Sequence, residues 1–85
     1  MSEKQVARVT HYFTRLGVAV LALADTLSVG DRIRIYGHST DLEQTVDSMQ
    51  MEHKPVLKVG PGDDVALKVI EPVRQGDIVY RITAD

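Results

Sequence analysis

Residues 60–69 read "GPGDDVALKV", and two other stretches repeat the same grammar: "SVGDRIRI" at 28–35 and "RQGDIVYRI" at 74–82. In each, Gly-Asp fills the third and fourth places of a turn (Ser28–Asp31, Gly60–Asp63, Arg74–Asp77), and an apolar run follows. Glycine in the third place supplies the positive φ of a type II turn. Pro61 has a fixed φ suited to the second place, and an Asp carboxylate accepts hydrogen bonds from nearby backbone amides. The device therefore predicts three strand starts. After Asp31, Ile33 and Ile35 face one way and Arg32 and Arg34 the other. After Asp63, Val65, Leu67 and Val69 share a face opposite Ala66 and Lys68. The third run reads out of phase with these two. Its expected inward set is Ile78, Tyr80 and Ile82, which requires an earlier start or a bulge.

Upstream, "ARVTHYF" and "GVAVLALA" add two β-rich segments separated by "TRLG". The second is apolar on both faces, the pattern of a central strand covered on each side. The segment "STDLEQTVDSMQMEHKP" reads differently. Leu42, Val46 and Met49 stand at helical spacing, and Thr40 with Glu43 resembles a capping box. Strand alternation breaks there because Gln44, Ser48 and Gln50 share the face of Leu42 and Val46. With five or six strands and at most one helix, the expected architecture is all-β: a small closed antiparallel β-barrel of about six strands. Closure removes aggregation-prone edges, and six glycines suit tight corners. Residues 1–85 are read as one domain.

Composition narrows the function. Ten basic residues against twelve acidic ones give a net charge of -2, a poor balance for counterion-driven binding to DNA. No cysteine is present to form disulfides or thiolate metal ligands. The longest apolar run, Val18 to Ala24, is too short to span a bilayer. The N-terminal residues hold no apolar run of signal-peptide length. A soluble cytoplasmic protein is expected.

The ordered series "GVAVLALADTLSVGDRIRIYG", "TVDSMQMEHKPV", "VGPGDDVALKV" and "VRQGDIVY" resembles the second, β-barrel domain of translational GTPases such as elongation factor Tu and initiation factor two. The resemblance covers roughly residues 6–83. It extends to small translation elongation factor-like proteins and to the barrel appended to the C-terminal end of U32-type peptidases. It implies that residues 41–51 form a strand, and that reading is adopted over the local helical spacing. No glycine is followed by lysine, so the phosphate-cradling G-x-x-x-x-G-K-[ST] loop of a GTPase is missing. In elongation factor Tu a Val-Glu-Met-Phe-Arg-Lys stretch helps hold aminoacylated tRNA. Met49 to Lys54 stand in its place here, with Gln50 for the glutamate and His53 for the arginine. The resemblance thus implies a non-enzymatic binding module for RNA (tRNA or the ribosome) or a translation-machinery protein, with Gln50, His53 and Lys54 at the contact. The alternative is a protein-interaction barrel of the U32-peptidase kind, unrelated to translation.

The remaining candidates are few. His11, His38 and His53 match no compact metal-ligand spacing, and no cofactor motif occurs. Asp63 and Asp64 are adjacent and point to opposite faces of a strand, so they do not form an acid–base pair. Ser28, Ser39 and Ser48 sit in no nucleophile elbow. No catalysis is expected. Arg32 and Arg34 share an outward face and, if the Lys68 strand is their neighbour, form with it a cationic patch for phosphate or an acidic partner; the reading preferred is a solvated face whose charges keep the barrel soluble. Tyr12, Phe13 and Tyr36 offer a stacking platform for single-stranded RNA, but with so few aromatics, core or rim packing is the use preferred. Met49 and Met51 offer an adaptable surface, and the edge near "MEHKPV" offers peptide augmentation.

Overall fold

A computed structural model describes residues 2–83. These form strands β1 (Ser2–Phe13), β2 (Val18–Leu23), β3 (Leu27–Ser28), β4 (Arg32–Tyr36), β5 (Asp41–Thr45), β6 (Met49–Met51), β7 (Lys54–Val56), β8 (Lys58–Val59), β9 (Asp64–Lys68) and β10 (Ile78–Thr83). Every pairing is antiparallel. The all-β expectation holds, and no described residue is helical.

The three Gly-Asp turns share one construction. Gly30, Gly62 and Gly76 have φ of 97°, 86° and 95°. In each turn the Asp N–H donates to the carbonyl three residues back, at 3.1 Å. The same Asp then accepts, through Oδ2, the N–H of that first residue: Ser28 at 2.9 Å, Gly60 at 2.8 Å and Arg74 at 2.9 Å. Two bonds of opposite sense lock each corner and fix the phase of the strand that leaves it. Ile33 and Ile35, then Val65 and Leu67, lie fully inside, as read from the sequence. The third run departs from expectation. Val79 is completely buried, while Ile78, Tyr80 and Ile82 are only half-buried on the outer face. The run is in phase with the other two because the same clamp launches it. Arg81, on the inner side of this strand, resolves the conflict by donating to the Thr26 carbonyl and, at 3.0 Å, to the Thr26 hydroxyl.

Residues 41–51 form no helix but two strands, Asp41–Thr45 and Met49–Met51, separated by residues 46–48, and the structure explains their helical look. Thr40, Leu42, Gln44 and Val46 alternate inward without interruption. Asp47 and Ser48 are then both exposed, and β6 resumes with Met49 inside and Gln50 outside. This shift between two strands, rather than a helical turn, produces the spacing of Leu42, Val46 and Met49.

The sheet does not close. Its order is β5-β4-β10-β1-β2-β9-β6-β7, with β3 and β8 forming a separate two-stranded ribbon. The expected closed barrel is therefore corrected to an open, curled eight-stranded sheet whose end strands make no ladder with each other. Two bulges bend β1, one between Gln5 and Ala7 against β10 and one between Val9 and His11 against β2. The gap is spanned by a side chain. Gln44, 5% exposed, donates Nε2 to the Lys68 carbonyl and accepts the Ile70 N–H at Oε1, both at 2.9 Å. Val69 spends its N–H on the Gly17 carbonyl, on the β2 side, so the neighbouring Lys68 and Ile70 groups face the opposite way. A primary amide thus substitutes there for one residue of a missing strand. The core inside is aliphatic, with Leu21, Leu27, Ile33, Ile35, Met49 and Leu67 fully buried. Leu27 and Val59, paired across the ribbon, also contribute to it. Gly37 is required by close approach, since a Cβ there would lie 1.9 Å from Asp77 Oδ1.

Replacing Gln44 with Ala leaves the Lys68 C=O and Ile70 N–H without their partner and is expected to cost at least about 2 kcal/mol. Gln44→Glu should also destabilise, because a carboxylate accepts but does not donate. Urea unfolding midpoints of both variants check this.

Candidate partner-binding surface

The outer face of β2 carries Val18, Val20 and Ala22, all half-buried. No second layer covers it, contrary to the central-strand reading of this doubly apolar segment. Shade comes from the flanks. Registers place Phe13 beside Val18 and His11 beside Val20 on one side, with Lys68 beside Val18 and Ala66 beside Val20 on the other. Gln50 of β6 stands next to Ala66. The result is a shallow groove in two communicating depressions. One is lined by Val18, Ser48, Gln50, Ala66 and Lys68. The other adds Phe13, Val20, Glu52, His53 and Asp64. Phe13 forms a wall, 44% exposed, held edge-on to His11 with ring centroids 4.4 Å apart. The Lys68 ammonium is tethered to the Leu16 carbonyl at 2.8 Å.

The β6–β7 hairpin overhangs this groove. Met51 pairs with Lys54, so Glu52 and His53 are the two central residues of the turn, with φ of 52° and 64°. Two positive φ values in a two-residue hairpin define the type I′ geometry normally given to Asn-Gly. Side chains in this region cost on the order of 1–3 kcal/mol each. Among the described residues no other non-glycine has positive φ. Strain is thus concentrated beside the groove.

The sequence-derived candidates divide. Gln50 and His53 line the groove, and exposed Lys54 lies on the same hairpin. Arg32 and Arg34 lie elsewhere, on β4, with β10, β1 and β2 between them and the Lys68 strand. β4 and β9 are not neighbours, so the condition for a patch of Arg32, Arg34 and Lys68 is not met. Nor are the arginines free. Arg34 grips Asp41 through two bonds of 2.9 and 3.0 Å, lies 3.6 Å from Glu3 and stacks on Tyr36, its guanidinium carbon 4.9 Å from the ring centre. Arg32 lies 3.6 Å from Glu43. The Asp41 hydrogen bond raises the Arg34 pKa further above its ordinary value, and the same bond lowers that of Asp41. Asp25 is lowered mainly by its bond to Lys4, then by the Thr26 N–H. The aromatic platform is dispersed as well: Tyr12 packs on the core, Phe13 walls the groove, and Tyr36 sits under Arg34. Met49 fills the core and Met51 packs against it. Among the described residues no three His, Cys, Asp or Glu side chains gather as a metal site, and no helix is long and apolar enough to cross a membrane. The residues that sequence reasoning missed are the floor, Val18, Val20 and Ala66. For Val18 and Val20 the signal was the double-sided apolarity of "GVAVLALA", read as burial instead of an open groove.

An open antiparallel β-domain with an uncovered apolar groove is the class that this geometry defines. No family model matches the chain. The chain is similar to an uncharacterized protease of Methanocaldococcus jannaschii, 38% identical over 77 residues, which make up 89% of this chain and 19% of the protease. It is also similar to a collagenase of Porphyromonas gingivalis, 38% identical over 72 residues, 82% of this chain and 20% of the collagenase. The chain thus spans about a fifth of the length of the curated relatives it matches. Its fold superposes on the crystal structure of the C-terminal domain of a Geobacillus thermoleovorans protein described as a U32 peptidase. That match has a TM-score of 0.88 at 17% identity and covers 94% of this chain and 93% of that one. The selenomethionine form of the same domain gives 0.85 at 18% identity, covering 89% and 96%.

These likenesses overturn the resemblance to translation factors, and the RNA or ribosome partner that it implied loses its support with it. The relatives are named protease and collagenase, and the matching fold is a C-terminal domain from a U32 peptidase. Glycine corners and Gly-Asp strand starts are backbone solutions open to many small antiparallel domains, so they do not separate one such group from another. The alternative reading, a domain of the kind appended to U32-type peptidases and unrelated to translation, is the one the likenesses support.

Substituting Asn-Gly for Glu52-His53 relieves both strained residues and is expected to raise stability by about 1–3 kcal/mol, read as a higher denaturation midpoint. Acid sensitivity has a definite sign. Asp25 and Asp41 have folded pKa values below the unfolded carboxylate value of about 3.9. Their contribution is complete above that pH and is lost as pH falls through the lowered values. Asp41→Asn should flatten the acid limb of a stability–pH curve without changing its shape at neutral pH.

Proposed function

We propose that residues 1–85 act as one non-catalytic accessory β-domain that serves a U32-type peptidase, whether joined to it or encoded apart. The observation that carries this reading is the pattern of coverage. Nearly all of this chain aligns with about a fifth of a protease and of a collagenase, and its fold matches a domain crystallised apart from the rest of its protein. The chain's own chemistry supports a binding role. Its buried polar side chains Gln44 and Asp77 are spent on backbone groups. Among the described residues none of the buried side-chain polar atoms lacks a partner. The groove near the hairpin holds an exposed aromatic, an amide and an imidazole, with Gln50, His53 and Lys54 as contact residues. Arg32 and Arg34 stabilise their own flank and act as contacts only at its rim.

Incubated alone with casein or collagen peptides, the chain is expected to leave them intact. As tagged bait in native lysate it is expected to retain a U32-type peptidase, identified by mass spectrometry, and to retain it after nuclease treatment. Cleavage by the purified chain, or retention of ribosomal proteins that nuclease abolishes, overturns the reading.

A further inference from the structure

The groove carries a more specific message about what fills it. We propose that the channel floored by Val18, Val20 and Ala66 receives an extended polypeptide segment in which a bulky apolar side chain stands two residues from a basic one, so that both point to the same face. This rests on the accessory-domain reading and adds the chemistry of the contact.

Three independent features point to that occupant. The first is main-chain geometry. On β9, β6 covers only Leu67 and Ala66, and the hairpin then swings away. Alternation turns the Asp64 N–H and C=O away from β2, toward the side that β6 has left. Among the described residues no strand lies beside Asp64 there. An extended segment entering the wedge gains backbone bonds at this open edge, as in β-augmentation. The second feature is shape. The floor is small and apolar and is walled by Phe13 on one side and Gln50 on the other, which suits a large apolar side chain lying between them. The third is charge. Glu52 and Asp64 line the wedge, are exposed, and make no ion pair among the described residues. On the β4–β5 flank, by contrast, Glu3, Asp41 and Glu43 are matched by Arg34 and Arg32. At the far end of the groove, Lys68 is occupied by the Leu16 carbonyl. Of the imidazoles nearby, His53 lines the wedge and His11 is turned against Phe13. The unspent carboxylate charge therefore favours a cationic side chain and disfavours a phosphate backbone. The strained turn that carries Glu52 fits this assignment. A relaxed Asn-Gly corner would remove both the carboxylate and the imidazole from the rim.

The test uses the full chain, isotope-labelled, and two short synthetic peptides as probes: one repeating phenylalanine, serine, lysine, serine, its counterpart repeating phenylalanine, serine, glutamate, serine. The lysine peptide is expected to shift the amides of Val18, Val20, Gln50, Asp64 and Ala66 and to bind at least tenfold more tightly than the glutamate peptide at low salt. The combined variant Glu52→Gln, Asp64→Asn should lose about tenfold in affinity for the lysine peptide, equal to about 1.4 kcal/mol. Ala66→Arg should abolish binding while the spectrum keeps its dispersion. Should that variant misfold, the Asn-Gly hairpin variant, expected to be more stable and to bind more weakly, takes its place. Equal binding of both peptides, shifts confined to the Arg34–Tyr36 flank, or no shifts at millimolar peptide overturn the proposal. So does concentration-dependent line broadening that Ala66→Arg removes, which would assign the groove to a second copy of the chain. If Ala66→Arg still captures a peptidase from lysate, the groove proposal falls and the accessory-domain reading stands.

Discussion

The fold depends on a carboxylate that answers its own turn. Asp31, Asp63 and Asp77 each bond, through backbone and side chain together, to the residue three places back. Because strand side chains alternate with period two, fixing the first residue of a strand fixes the face of all that follow. Ile33 and Ile35, Val65 and Leu67, and Val79 then converge on one core. An aliphatic core this small, with no aromatic ring fully buried in it among the described residues, leaves little tolerance for a register slip. The three clamps supply the register before packing does.

The second constraint is that a curled sheet of short strands runs out of backbone partners. β6 and β7 have three residues each, and Pro55 offers no N–H. Closure by ladder fails, and the deficit is met in two ways. Gln44 lends its amide to Lys68 and Ile70, sealing one stretch of the β9 edge. At the Asp64 end of the same edge nothing takes that role, and the groove opens there. One strand edge is thus sealed at one end and open, among the described residues, at the other.

Strain, apolar exposure and unmatched charge coincide at this place. Glu52 and His53 occupy backbone conformations that favour glycine, Phe13 stands partly in solvent, and β2 shows apolar side chains to the outside. None of these helps the chain fold. On the proposed accessory role, such a surface would be kept to meet another polypeptide. The arginine flank is the opposite case. There, cations and carboxylates neutralise one another across β4 and β5, and the charge read from sequence as a binding patch is spent internally.

The sequence alone determined the strand starts, the all-β class and the inward faces of the first two Gly-Asp runs. Each of these follows from local stereochemistry: glycine φ, side-chain alternation and a carboxylate within reach of its own turn. Sequence reading misplaced Val79, because Ile78, Tyr80 and Ile82 outweigh it in apolar bulk while the clamp that sets its phase is a hydrogen bond. Closure of the sheet, pairing of Arg34 with Asp41, and exposure of the β2 groove were decided only in three dimensions. They depend on which strands become neighbours, and adjacency is set by chain-wide competition for backbone partners that no short stretch of residues encodes.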